Sequence, residues 1–488
     1  MQRALGVMLH VSSLWGKFGF GALSKEAFSF VDFLKNAGVK YWQVLPLNPI
    51  MQSGSPFQSY SVFAGNLCLI DFEELLSSEQ LKKCGFKNSA EIDFDKIYMS
   101  RKSALKLCFK KYFNKQKENI EAFCKENSFW LEDYALFMAI KEVFCGISLQ
   151  QFPKVLRDRE KASIEKFKKQ HKHIVDFYKY EQFLFFTQWQ KLKDYAKNCG
   201  IKIIGDLAFY PATDSCDVWA NKDEFCVDEN FVPTKIGGVP PDFFSEEGQV
   251  WGNPVYNVEN MAQNNFRWWR KRFEQTKKFF DVVRLDHFRG FEAFYEVDAK
   301  TLDAKKGKWK KSFGKALFDS LNKNNTPEFI AEDLGIITKE VGELMKQINV
   351  PGMRVFQFAF DGNEKNLYFP HNYTSNCVCY LGTHDNNTFV GFLKEVPPQV
   401  LQQIKDYLRL PIESTYEQIT KECAKVLACS KADLCVLNIQ DLLCLDEKSR
   451  MNIPGVPTGN WKFRINKKLI TKDLAEQIKE LVVLSGRN

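Results

Sequence analysis

The chain has 488 residues, 45% of them hydrophobic and 26% charged, with a formal net charge of +8. That balance excludes a disordered or fibrous polymer and allows one large domain with insertions or two to three domains. Its positive charge is mostly lysine scattered through helical sequence such as KKYFNKQK (110–117) and KFKKQHKH (166–173), without a recognisable nucleic-acid module, so no nucleic-acid partner is expected.

Taken in order, apolar runs that end in polar or glycine-containing sequence mark eight strands. GVMLH (6–10) comes first, followed by a glycine-rich loop and a helix near 24–37. YWQVLP (41–46), IKIIGDLAFY (201–210) and FFDVVRLDHF (279–288) follow. FIAEDLG (329–335) precedes a helix that starts at Thr338, with Glu340 and Glu343 in its first turns. MRVFQFAF (353–360), CVCYLGTHDN (377–386) and ADLCVLNIQDLL (432–443) complete the set.

Strands apolar on both faces and separated by helices imply a parallel sheet covered by helices. Eight such units predict a (β/α)8 barrel of the TIM type, and the polar residues gather at C-terminal strand ends, where such barrels react substrates. An open doubly wound sheet is the rival, but the GxGxxG turn it would favour is absent. The expected division is a barrel start over 1–70 and a mainly helical insertion over 71–200. Strand three over 201–210 and an active-site loop insertion over 211–278 follow, with the remaining barrel and a C-terminal helix over 279–488. The loop reading rests on the Pro/Gly-dense GGVPPDFFSEEGQVWGNPVY (237–256).

The ionisable residues at the strand ends pose the chemical question. In VVRLDHFRG (282–290), alternation sets Val282, Arg284 and Asp286 on one face and Val283, Leu285 and His287 on the other. A guanidinium beside Asp286 favours its ionised form, which suits a nucleophile or electrostatic stabiliser; the structural alternative is a buried ion pair, which adds little stability. Glu332 and Asp333 point to opposite sides, so only one faces the axis, and a glutamate is the easier group to raise into an acid. His384 and Asp385 stand at another strand end. One carboxylate held ionised and one able to carry a proton match glycosidic chemistry, although this pattern alone leaves a lyase or phosphate-handling barrel open.

No serine elbow of GxSxG type accompanies these residues. Cys377 and Cys379 share a strand face without histidine or cysteine partners at ligand spacing, so no metal is expected. The fourteen cysteines read as reduced, mostly buried thiols. No apolar run reaches 18 residues and MQRALGVMLHVSS lacks the shape of a signal peptide, so no membrane partner and a cytoplasmic location are expected.

The chain resembles the 4-alpha-glucanotransferases, called amylomaltase or disproportionating enzyme, of glycoside hydrolase family 77. The resemblance runs through RALGVMLHVSSLWGKFGFG (3–21), SGSPFQSYSVFAGN (53–66), PPDFFSEEGQVWGNPVY (240–256), VVRLDHFRGF (282–291), IAEDLG (330–335), PGMRVFQFAF (351–360) and LGTHDNNT (381–388). It closes with DLL (441–443), NIPG (452–455) and GNW (459–461). It implies a barrel with inserted subdomains, no cofactor, and maltooligosaccharides and other α-1,4-glucans as partners.

Carried over by motif, the resemblance makes Asp286 the nucleophile, Glu332 the acid/base and Asp385 the third carboxylate, which holds sugar hydroxyls. Arg284 and His384 would flank the reacting sugar. Asp242 and Trp251 would belong to the loop covering donor and acceptor, with Ser55, Phe57 and Asn460 in outer positions. The chain departs from the family pattern at Trp15, Phe57, Leu67, Phe243 and the segment before Asn460, which bears on subsite affinity rather than on the carboxylates. A retaining α-glucan hydrolase and a non-catalytic glucan-binding protein are the alternatives.

Overall fold

The computed structural model describes residues 1–89, 92–241, 246–322 and 326–488. Twelve strands occur along these residues: β1 Ala4–Met8, β2 Tyr41–Gln43, β3 Lys202–Leu207, β4 Lys235–Val239, β5 Gln249–Pro254 and β6 Val282–Leu285, then β7 Ala293–Asp298, β8 Lys308–Lys311, β9 Glu328–Ala331, β10 Gly352–Val355, β11 Cys377–Tyr380 and β12 Leu434–Asn438. Eight of them close into a parallel barrel in the order β1-β12-β11-β10-β9-β6-β3-β2, with β2 paired back to β1. All eight barrel strands fall on the eight apolar runs of the sequence, and the architecture is a (β/α)8 barrel.

Alternation along these strands separates two apolar regions. Met8, Tyr41, Ile204, Val282, Ile330 and Tyr380 point into the barrel. Val283, Leu285, Cys377 and Cys379 point outward into the larger core shared with the helices. Gly6 keeps the barrel interior tight, since a Cβ there would lie 3.1 Å from Val436 and 3.2 Å from Tyr41 and those side chains would have to give by a few tenths of an ångström.

Between β2 and β3 the chain is mainly helical, from Phe94–Tyr112 through Leu131–Val143 to the 27-residue helix Lys172–Asn198. Between β3 and β6 it holds the helix Arg267–Phe279 as well as β4 and β5. Those two strands join β7 and β8 in an antiparallel sheet of order β5-β4-β7-β8. Sequence reading did not foresee this sheet, because two of its strands, KIGGV and KWKK, are rich in glycine or lysine and read as loop.

The strand readings also overrun. Phe279 ends the preceding helix rather than opening β6. Beyond β3, the carbonyls of Ala208 and Phe209 are taken by Arg272, and Phe209 also by the Tyr256 hydroxyl. The chain past the strand end is therefore held by side chains and stays apolar without being sheet.

Candidate active site

Parallel pairing sets Asp206 of β3 directly beside Arg284 of β6. Both side chains point inward at the C-terminal end of the barrel, and both are buried, at 2% and 3% exposure. Arg284 Nη1 donates to both Asp206 oxygens, at 2.8 and 2.9 Å, and to Asp286 Oδ1 at 2.9 Å. Its Nε lies 3.3 Å from the Met353 sulfur. Burial opposes the guanidinium charge, but Asp206, Asp286, Glu332 and Asp385 together outweigh it and raise the Arg284 pKa. Arg284 thus lies beneath the carboxylates as their common counter-ion.

Glu332 follows β9 on the inward face, and Asp333 turns outward, where it accepts from the Met353 N–H and pairs with Arg354 at 3.0 Å. Glu332 Oε2 accepts from the backbone N–H of His287 at 2.7 Å and Oε1 from that of Leu334 at 2.9 Å. Burial pushes its pKa from the ordinary 4.5 up to about 8; Arg284 and the two N–H donors pull against the rise, while Asp286 adds to it. A carboxyl that keeps its proton at neutral pH therefore adjoins the Asp286 segment.

His287 adopts a left-handed backbone with φ 48°, a conformation uncommon for a residue with a Cβ and worth about 1–3 kcal/mol of strain. That turn aims its N–H at Glu332. Burial lowers the imidazole pKa to about 4, so the ring is neutral, and the indole of Trp251 meets it edge-on with centroids 4.9 Å apart.

Asp385 stands in the loop after β11. Its Oδ1 accepts from Asn452 Nδ2 at 2.6 Å, its carbonyl accepts from Arg450 at 2.7 Å, and its Oδ2 is 3.5 Å from His384 Nε2. Its side chain is 41% exposed, which leaves a carboxylate edge open to a ligand. The buried His384 ring stacks on Phe57 at 5.1 Å and 18°, with Trp461 at 5.9 Å. Ser55 accepts the Phe57 N–H at 3.3 Å and so shapes that loop. The amide of Asn460 is occupied by its own loop, accepting from Ile453 N–H at 2.9 Å and donating to the Val456 carbonyl at 2.8 Å. Asp242 and Phe243 lie outside the described residues.

Asp206, Asn452 and Arg450 escaped sequence reasoning. Asp206 was legible in principle: an acidic residue in the apolar run IKIIGDLAFY, on the same face as Ile204, has to find a buried cation. Asn452 and Arg450 belong to an irregular loop with no periodicity to orient them. Among the described residues, no group of three or more His, Cys, Asp or Glu is disposed to hold a metal ion.

Known proteins resemble the chain over nearly its whole length. Residues 9–470 match the family described as 4-alpha-glucanotransferase, glycoside hydrolase 77. A 4-alpha-glucanotransferase of Aquifex aeolicus is 43% identical over 99% of both chains. A chloroplastic/amyloplastic one of Solanum tuberosum is 37% identical over 100% of this chain and 87% of its own. The solved amylomaltase of Streptococcus agalactiae, in complex with acarbose, superposes with a TM-score of 0.96 at 33% identity, covering all of both chains. With an eight-stranded barrel, clustered carboxylates at its C-terminal mouth and relatives alike from end to end, the chain belongs to the 4-alpha-glucanotransferase family, glycoside hydrolase 77.

Proposed function

We infer that the protein moves α-1,4-glucan segments from a maltooligosaccharide donor to a second maltooligosaccharide, or to glucose, by a retaining double displacement. Asp286 attacks the anomeric carbon while Glu332 protonates the departing glycosidic oxygen, giving a β-linked glucosyl-enzyme. Glu332, now a carboxylate, takes the proton from the acceptor 4-hydroxyl, whose oxygen displaces Asp286 and restores the α linkage. The observation that carries this reading is the geometry at the barrel mouth: Glu332, held by the N–H groups of His287 and Leu334 and pushed by burial toward its protonated form, adjoins an Asp286 that is paired with Arg284.

Asp385, fixed by Asn452, offers its exposed carboxylate edge to sugar hydroxyls. Phe57 and Trp251 supply apolar surface at the mouth, where covering the site favours a sugar acceptor over water. The acarbose complex of the Streptococcus agalactiae relative supports this class of ligand. No helix among the described residues is long and apolar enough to cross a membrane, and we assign the enzyme to the cytoplasm.

Incubation of the purified protein with maltotriose tests the reading. Transfer yields glucose together with oligosaccharides longer than the substrate. Products that are all shorter than maltotriose would identify a hydrolase, and an unchanged substrate would remove the catalytic assignment.

A further inference from the structure

Arg289 has no part in the displacement described above, yet it is buried, at 8% exposure, three residues beyond Asp286. It opens the short helix Arg289–Glu292. Its guanidinium carbon lies 3.7 Å from the centroid of Trp309 on β8, and its Nη1 donates to the carbonyl of Ile336. It makes no ion pair among the described residues; Glu292 and Glu340 act on it only at longer range. A buried cation without a carboxylate is a costly way to fill space, and an apolar side chain of similar volume would serve packing at least as well.

What the guanidinium holds is the segment that carries Glu332. Residues 332–338 leave β9, turn at Gly335 with φ +80°, and enter the helix Lys339–Ile348. Within that turn, the Glu332 carboxyl grips the Leu334 N–H, and Ile336 is tied through its carbonyl to Arg289. Among the described residues this is the hydrogen bond that joins Leu334–Ile337 to another segment of the chain. Leu334 packs against the barrel interior, but Ile336 is 53% exposed and Ile337 37%, so the far half of the turn has little side-chain packing to hold it.

The other partner belongs to the antiparallel sheet. Its edge strand β5 presents Trp251 to His287, and its opposite edge strand β8 presents Trp309 to Arg289. The sheet therefore grips the nucleophile segment one and three residues beyond Asp286. Trp309 is backed in turn by Tyr295 of β7, edge-on at 5.2 Å. Close packing beneath Gly290 keeps the segment down, since a Cβ there would meet the Phe209 ring at 2.7 Å.

We propose that Arg289 is a positioning residue for Glu332: clamped between the Trp309 indole and the Ile336 carbonyl, it locks the acid/base loop to the nucleophile segment and both to the antiparallel sheet. This rests on the acid/base role proposed for Glu332. The clamp acts on the geometry of proton transfer rather than on glucan affinity, because a displacement of about 1 Å in a reacting group can cost about 100-fold in rate.

The test compares Arg289→Met, Arg289→Lys, Trp309→Leu and the double variant with Glu332→Gln as reference, measuring kcat and KM on maltotriose together with Tm. Arg289→Met is expected to lower kcat about 10- to 100-fold with KM within about threefold of wild type. Arg289→Lys keeps a cation over the indole and a donor for the carbonyl, and recovers most of that loss. Trp309→Leu costs roughly 3- to 10-fold in kcat, and the double variant is no worse than Arg289→Met, as two parts of one device require. Wild-type kcat in Arg289→Met beside an inactive Glu332→Gln overturns the clamp alone; full activity in Glu332→Gln overturns the reading on which it rests. Should Arg289→Met be insoluble, Trp309→Leu decides, and wild-type kcat there sinks the proposal.

Discussion

Two buried arginines stand at opposite ends of the barrel, and their charges are met in opposite ways. Arg284, at the C-terminal mouth, faces Asp206 and Asp286 within hydrogen-bond distance. Arg487, at the closed N-terminal end, is 0% exposed and donates five hydrogen bonds, every one to a backbone carbonyl: Ala4, Ala428, Ser430, Ala432 and Asp433. Those carbonyls belong to the start of β1, the approach to β12 and the end of the helix Tyr416–Cys429, where the helix dipole favours a cation. Arg487 uses its planar fork to tie chain ends together, and its charge is shared among dipoles. Arg284 uses its charge to keep carboxylates together that would otherwise repel one another, which is a task for chemistry rather than for closure.

The largest effect that would sharpen this contrast comes from Asp286→Asn. Loss of the nucleophile should lower kcat on maltotriose by on the order of 10,000-fold or more. Stability should hold or rise, because one of the crowded carboxylates is neutralised. Retention of wild-type turnover in that variant would break the assignment of Asp286. Arg487→Met should do the reverse. Five carbonyls lose one donor inside the protein, although those of Ala428, Ser430 and Ala432 keep Arg3 as a partner, at a cost of roughly 2–4 kcal/mol of unfolding free energy, while kcat of the folded fraction stays within about twofold, since no part of the chemistry touches that end. Chemical denaturation paired with the maltotriose assay separates the two; a kcat that falls along with stability in Arg487→Met would show that the ends are coupled.

The barrel was legible because its strands are apolar on both faces and bounded by turn residues, which is a strong local signal. Alternation was enough to divide Arg284 and Asp286 from His287, and Glu332 from Asp333, since a period of two leaves no freedom once one residue is fixed inward. Register was not legible, and so the partnership of Arg284 with Asp206, 78 positions apart in sequence, was missed. The antiparallel sheet was missed for a different reason. Strands such as KIGGV and KWKK carry lysine and glycine, so their pattern reads as loop until tertiary pairing overrides propensity. The left-handed turn at His287 and the engagement of Asn460 with its own loop depend on neighbours remote in sequence, which composition does not report.

The finest test of the contrast is the pH dependence of stability. Glu332 binds its proton more tightly in the folded protein, at about 8 against an ordinary 4.5. Between those values the folded state holds a proton that the unfolded chain has released, so stability falls as pH rises through that window. Burial also raises Glu181, Asp217 and Asp441, each to about 7, and Asp206 to about 6, all with the same sign. His10 and His287 act oppositely, being lowered to about 3 and 4 from 6.5, so their contribution grows as pH rises toward 6.5 and is then complete. Subtracting the Glu332→Gln variant from wild type isolates Glu332. The difference in unfolding free energy should move against wild type by up to about 1.4 kcal/mol per pH unit between pH 5 and 8. Thermal unfolding at pH 6, 7 and 8 reads this as Tm values that converge or cross. Arg487→Met should instead shift Tm by the same amount at all three, because its partners are backbone carbonyls and the buried acids at the mouth are left in place. Parallel curves for Glu332→Gln would mean that the acid at the mouth is not held protonated by the fold.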